Sequence, residues 1–282
     1  MSDAGTVVDD IVSALEDMRL DGPPGKNGQP EWSAFDWKAR CNIETAAVYA
    51  TGGMRLAEQR DARASAVLWK MLNDQLSAKL GMRVTTRTLT GYEEGLFAWL
   101  ATREDLHDGN FGVVEMGGAS VQVSFPCPEC ETARQVKVKG RPVTVYSHSL
   151  LDWGQDEAGK KLGPLPACEH GAGLENPEWQ TAHCTAGLGA SSEAFLEIRN
   201  FIGKAGELHW YLSGAFLYMR DTDIDHFCRK GIHSAFEQET SCFRAVYLRN
   251  TLLSLGVPAE SEHSTADWTL GAVICTSTQC LE

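Results

Sequence analysis

The sequence predicts an α/β fold with mixed sheets flanked by helices, and three observations carry that expectation. Strand-like segments end in glycine and polar residues at Thr51, Gly91 and Gly117. Alternating segments between Phe111 and Val145 read as antiparallel hairpins, and amphipathic helical segments separate the earlier strands. Ligands bind at the strand ends of α/β sheets, so function is expected at those three glycine sites.

In chain order, Asp9 or Asp10 can cap a short helix carrying Ile11, Ala14, Leu15 and Met18 at helical spacing. Asp21 to Trp37 is rich in Gly and Pro and reads as a surface connection. Glu44 to Ala50 is a small-residue strand that stops at Thr51-Gly52-Gly53-Met54-Arg55. From Asp61, the pattern Ala64, Val67, Leu68, Met71, Leu72, Leu76, Leu80 is an amphipathic helix with Gly81 as its stop. Met82 to Thr90 is β-rich and leads through Gly91-Tyr92-Glu93-Glu94-Gly95 into a helix that starts at Leu96.

Phe111 to Phe125 then reads as a strand, a phosphate-sized Gly117-Gly118-Ala119-Ser120 turn, and a second strand. Ser120 and Gln122, two apart, point to one side, and Val121, Val123 and Phe125 take the buried side. Val136 to Val138 and Val143 to Val145 form a further hairpin across Gly140. Ser147 to Lys161 is expected to be a small helix-and-loop unit, and Pro164 to Gly189 a long irregular excursion, either a lid or a disulfide-braced loop. A helix capped by Ser191 or Ser192, a helix from Cys242 to Leu255 stopped by Gly256, and a last helix from Trp268 complete the chain.

Composition bounds the function. The 282 residues are 43% hydrophobic, enough for a sizeable core. Lys+Arg 25 against Asp+Glu 38 gives 25 − 38 = −13, which argues against a nucleic-acid partner. No apolar run approaches the roughly 18 residues of a spanning helix, so no transmembrane segment is expected. The acidic start MSDAGTVVDD lacks the pattern of a signal peptide. Nine cysteines nevertheless suit an oxidising, secretory or extracellular setting, with Cys168–Cys184 and Cys228–Cys242 as possible disulfides. Cys127-Pro-Glu-Cys130 has no second pair at zinc spacing, so a hairpin-tip pair or simple thiols are expected there.

The chemistry centres on the 111–125 stretch. A Gly-Gly pair lets backbone N–H groups approach an anion without interference from Cβ. Glu115, at the strand end, is placed to hold a cation or its water.

Ala50 to Arg55, Thr90 to Trp99, Glu115-Met116-Gly117-Gly118-Ala119-Ser120-Val121-Gln122 and Trp268-Thr269-Leu270-Gly271-Ala272 resemble, in order and spacing, conserved regions of the nucleoside triphosphate diphosphohydrolases (apyrases). Tyr146-Ser147-His148-Ser149 with Gly154 and the Cys242 helix are similar to that family as well. The resemblance implies two ribonuclease-H-like lobes of the actin and sugar-kinase type, here residues 1–162 and 163–282, with the N-terminal lobe truncated.

It further implies hydrolysis of nucleoside tri- and diphosphates with Mg²⁺ or Ca²⁺ by direct attack of water. In that reading Glu94 is the catalytic base, and Ser120 and Gln122 position the water. Thr51, Gly52, Gly117, Gly118, Ala119 and Ser120 bind nucleotide phosphate, and Glu115 holds metal through water.

Two departures stand out. Glu115 replaces an aspartate, and the extra methylene moves its carboxylate by about 1.5 Å. Only Asp3-Ala4-Gly5-Thr6 is available to match the family's first phosphate loop, with no apolar strand before it and no Arg after it. A catalytically degenerate nucleotide-binding protein on the same fold is the alternative, and an exopolyphosphatase-like enzyme a third reading. For the base, Tyr211, Phe216, Tyr218 and Trp268 are candidate stacking platforms.

Overall fold

The computed structural model describes residues 4–17, 45–106, 110–168, 176–218, 223–230 and 240–281. The expected connection Asp21–Trp37 and the ninth cysteine, Cys41, lie outside them. The chain divides into two units, 1–89 and 90–282. The expected lobe boundary at 162/163 therefore falls inside the second unit.

In unit 1, α1 (Ala4–Asp17) begins well before the two aspartates expected to cap it. The reason is apolar: Val8 is fully buried against Leu72, Leu76 and Val84, so the chain gains core contacts by winding helix from Ala4 onward. Ala4, Gly5 and Thr6, the only candidates for a first phosphate loop, are consequently helical. Strand β1 (Thr45–Ala50) runs into α2 (Gly52–Arg60), then α3 (Ala62–Leu80) and β2 (Arg83–Thr88). β1 and β2 pair in parallel, Thr45 opposite Arg83 through Ala50 opposite Thr88. Asp61 caps α3 by accepting from the Ala64 amide, and Gly81 ends it in the left-handed conformation, where glycine carries no Cβ penalty.

Unit 2 holds α4 (Gly91–Leu106), β3 (Phe111–Met116), β4 (Ser120–Pro126), β5 (Arg134–Val138), β6 (Arg141–Leu151), α5 (Gln155–Leu162), α6 (Thr181–Ala186), α7 (Gly189–Ala205), β7 (His209–Gly214), α8 (Ile224–Arg229), α9 (Ser241–Leu255), β8 (Glu262–His263) and α10 (Trp268–Thr278). Its six strands are ordered β5-β6-β4-β3-β7-β8. β5, β6, β4 and β3 pair antiparallel, while β3, β7 and β8 run parallel. The sheet is thus mixed, as expected, and it joins strands from both sides of residue 162.

Two expectations are corrected here. Ser147 to Leu151, expected to open a helical unit, is the second half of the long strand β6, held by pairing along β4 from Ser120–Leu151 to Pro126–Val145. α7 begins at Gly189, ahead of both serines expected to cap it.

Helices cover the sheet differently on its two sides. Val114, Met116, Val121, Val123 and Phe125 pack into the main core with Phe195, Ile198, Val246 and Tyr247 of α7 and α9. α4 packs over β4 and β6 on the other side, with α10 laid against it. That second contact is so close that a Cβ on Gly271 would meet the Phe97 carbonyl oxygen at 1.8 Å. The Trp268 to Ala272 motif is therefore a helix-packing motif against α4.

Disulfides Cys168–Cys184 and Cys228–Cys242 are formed, Cys127–Cys130 lies in the connection from β4 to β5, and a further bridge joins Cys275 to Cys280. The 168–184 bridge braces the segment expected to be irregular, of which Thr181–Ala186 is the short helix α6.

Candidate functional site

α4 starts one turn earlier than expected because of local polar chemistry. The Thr90 hydroxyl accepts from the Glu93 amide at 3.2 Å, and Glu93 accepts in return from the Thr90 amide at 2.8 Å. This reciprocal cap fixes the helix start. It also separates two adjacent carboxylates: Glu93 stays at the surface as the cap, and Glu94 is turned inward to 4% exposure.

The first turn of α4 presses onto the sheet at Gly95. A Cβ there would lie 2.5 Å from Ser147 Oγ, 2.6 Å from Ser124 Oγ and 3.3 Å from Gln122 Cβ, so glycine is required for this approach. Tyr92 braces the same turn, with its hydroxyl donating to the Val145 carbonyl at 3.4 Å and the Arg134 guanidinium 4.4 Å above its ring. Burial pushes the Tyr92 phenol up to about 12, against the smaller opposing pull of Arg134.

Below lies a buried polar row on β4: Ser120 (2% exposed), Gln122 (1%) and Ser124 (1%). Val121, Val123 and Phe125 take a buried side as expected, and the side of Ser120 and Gln122 is buried as well. Gln122 Nε2 donates to Ser120 Oγ at 2.7 Å and to Ser149 Oγ at 3.0 Å. Both amide hydrogens are thereby used, and Gln122 Oε1 is a buried acceptor with no hydrogen-bond partner among the described residues. Such an atom in a native structure calls for an explanation.

Glu115 sits opposite Gln122 on β3 and opposite Ser213 on β7. Its Oε1 lies 3.2 Å from the position a Cβ would take on Gly214 and 3.9 Å from that of Gly117, so the carboxylate stands at the strand ends beside the turn.

The turn is pinned from one side. The amides of Gln155, Asp156 and Glu157, at the start of α5, donate to the carbonyls of Gly117 and Gly118, and the Asp152 amide donates to that of Ala119. Gly154 allows this, because a Cβ there would be 2.3 Å from the Ser120 nitrogen. In a trans peptide the N–H points opposite to the preceding C=O, so the amides of Gly118 and Ala119 point away from α5. Successive backbone donors facing one way make an anion-binding concavity.

Next to the turn, Asp156 reaches toward Gly118 and pairs with Arg244 at 2.8 Å. Both residues line a cavity of about 500 Å³ between α5 and the start of α9, together with Gln155, Gly159, Thr240 and Phe243. Sequence reasoning missed Asp156, Phe243 and Arg244. Gly154-Gln155-Asp156 at the end of a strand was the available signal, hidden by the expectation of a helical unit from Ser147. Of the expected stacking residues, Phe216 is core and Tyr218 exposed, and Tyr211 packs edge-on against Phe111.

Glu94, Glu115, Gly117 to Ser120 and Gln122 are thus brought together in unit 2. Thr51 and Gly52 belong to unit 1, where Thr51 occupies the N-cap position of α2 and Gly52 its first turn, at the end of β1. Among the described residues no cluster of three or more His, Cys, Asp or Glu side chains is arranged to hold a metal ion.

Comparison with known proteins bears on both fold and site. The chain is similar to an exopolyphosphatase from Cytophaga hutchinsonii, with a TM-score of 0.53 at 11% identity over 96% of this chain and 82% of that one. It is also similar to the Aquifex aeolicus Ppx/GppA family member, with a TM-score of 0.51 at 12% identity over 96% and 81%. These likenesses show the fold, the expected actin-like α/β architecture.

In sequence, the chain is 30% identical over 165 residues to mouse ectonucleoside triphosphate diphosphohydrolase 3, covering 49% of this chain and 30% of that protein. It is 39% identical over 83 residues to probable apyrase 5 of Arabidopsis thaliana, covering 26% and 17%. The chain thus spans less than a third of the length of these relatives. Residues 39–165, which carry Thr51, Glu94, Glu115, the glycine turn and Gln122, match the model of the GDA1/CD39 (nucleoside phosphatase) family.

Proposed function

We propose that this chain hydrolyses nucleoside tri- and diphosphates by direct attack of water. The observation that carries the reading is Gln122 Oε1, a buried acceptor on a residue whose Cβ lies 3.3 Å from where a Cβ on Gly95 would stand, next in sequence to the buried Glu94. A water donating to that oxygen would stand between a fixed carboxamide and a buried carboxylate. Glu94 takes the proton of that water as it attacks the terminal phosphorus, the bond from that phosphorus to the bridging oxygen breaks with the shortened nucleotide leaving, and Ser120 and Gln122 hold the water's direction. General-base help of this kind contributes roughly 10² to 10⁴-fold in rate. The amides of Gly118 and Ala119 receive phosphate oxygens on the face turned away from α5. In unit 1, the start of α2 at Thr51 and Gly52 is by itself suited to bind a phosphate.

The residues suit Mg²⁺ or Ca²⁺ held through water by Glu115. One carboxylate with waters and substrate phosphates is the usual mode for Mg²⁺, and it needs no protein cage of several acidic side chains. The cation would neutralise phosphate charge, which phosphoryl transfer asks for alongside positioning. The cavity lined by Asp156, Phe243 and Arg244 suits the nucleoside end, with a ring to stack on and a carboxylate for hydroxyl groups. Four disulfides favour folding in an oxidising compartment.

The test is phosphate release from ATP, ADP and inorganic polyphosphate with Mg²⁺, with Ca²⁺ and with a chelator. Metal-dependent release from the nucleotides supports the reading. Release from polyphosphate alone would replace it with a polyphosphatase, and calorimetric nucleotide binding without release would replace it with a binding protein.

A further inference from the structure

The Ser147-His148-Ser149 stretch of β6 has no part in the reading above, yet it is built into the site. In the β4–β6 register Ser147 stands opposite Ser124, and Ser149 opposite Gln122, so the two serines lie on the face that α4 covers. A sheet face buried under a helix normally gains from apolar contacts, and burying hydroxyls there costs free energy unless each is hydrogen-bonded. Here they are bonded in a directed pattern. Ser124 Oγ donates to Ser147 Oγ at 2.8 Å, and Ser147 Oγ donates to the Tyr92 carbonyl at 2.9 Å, in the first turn of α4. Ser149 Oγ accepts from Gln122 Nε2 at 3.0 Å.

We propose that Ser147 and Ser149 are positioning residues for the two groups that face the attacking water. Ser149, with Ser120, takes both amide hydrogens of Gln122, which leaves the carboxamide only one orientation that satisfies its donors and makes Oε1 the free acceptor. Ser147 ties the carbonyl of Tyr92 to the sheet and so sets the height of Glu94, two residues on. The two hydroxyls act from one strand on a helix and on a neighbouring strand, which fixes carboxylate and carboxamide relative to each other.

The proposal rests on the hydrolytic reading, so its test has one arm that needs no turnover. Ser149→Ala and Ser147→Ala are each expected to lower kcat by about 10- to 100-fold, the scale of a small misplacement of catalytic groups, with KM unchanged. Ser149→Thr, which keeps the hydroxyl at a half-buried position, should restore most of it. In the full chain, Ser149→Ala should also shift the NMR signals of the Gln122 side-chain amide, and Ser147→Ala should speed hydrogen exchange about 10-fold in a peptide covering Gly91 to Trp99. Unchanged kcat in the alanine variants of an active chain would overturn the proposal, as would a loss confined to thermal stability. If the wild type releases no phosphate, the hydrolytic reading fails by itself. The amide signals and exchange rates then decide positioning alone, and their invariance overturns it.

Discussion

The two faces of β4 carry the same burial and opposite chemistry. Val121, Val123 and Phe125 face α7 and α9 and pack as an ordinary core; Ser120, Gln122 and Ser124 face α4 and are equally dry, but every contact described there is polar. The first face is stabilised by area removed from water, at roughly 25 cal/mol per Å². The second gains little from burial and depends on each hydrogen bond being made. The difference separates residues that hold the fold by apolar packing from those to which the proposed reaction assigns a role.

Substitutions can break that contrast, and the largest effect is expected on the apolar face. Phe125→Ala should cost about 3–5 kcal/mol in denaturant unfolding, with the kcat of the remaining folded protein nearly unchanged. Gln122→Ala should do the reverse, lowering kcat by about 10²-fold, equivalent to about 2.7 kcal/mol, with a much smaller change in unfolding midpoint. If both variants lose stability alike and neither loses turnover selectively, the two faces are one core. Gly95→Ala brings a methyl to 2.5 Å from Ser147 Oγ and should act on both quantities, costing about 1–3 kcal/mol by overpacking and displacing Glu94.

A smaller effect comes from His148, on the apolar side of β6 beside Tyr146. Burial lowers its pKa from 6.5, against the opposing pull of Glu197. The folded state therefore prefers the neutral ring, so this contribution is complete above pH 6.5 and is lost as pH falls toward the lowered value. His148→Gln should flatten the stability profile in that acidic window and leave it unchanged at higher pH. The smallest effect is expected at the exposed Lys70–Asp74 pair of α3, where Lys70→Ala should change stability by at most about 0.5 kcal/mol.

Much of this contrast was legible in the sequence. Alternation along Ser120 to Phe125 separated the two sets of side chains, and Gly81 and Gly256 marked helix ends that the left-handed caps bear out. What periodicity could not give was the depth of the polar face, since alternating polar residues read as solvated until a helix is known to cover them. The same gap hid the place of Ser147 and Ser149 in the sheet: two serines among Tyr, His and Leu carry too little β signal to extend the strand, and only pairing with β4 does so. α1 was misplaced at its start because Asp9 and Asp10 looked like caps, whereas burial of Val8 decided where the helix runs. The glycine at 95 was legible as part of a motif, but its reason, three side chains within 3.3 Å of a missing methyl, exists only in three dimensions.

In the proposed reaction Glu94 acts from the dry side of that helix turn. The most direct measurement is steady-state phosphate release from ATP and ADP with Mg²⁺ by the wild type and by Glu94→Gln, with matched unfolding midpoints. A fall in kcat of about 10² to 10⁴-fold in the variant, with nucleotide affinity retained, is the predicted result. Equal metal-dependent release by both proteins would contradict it.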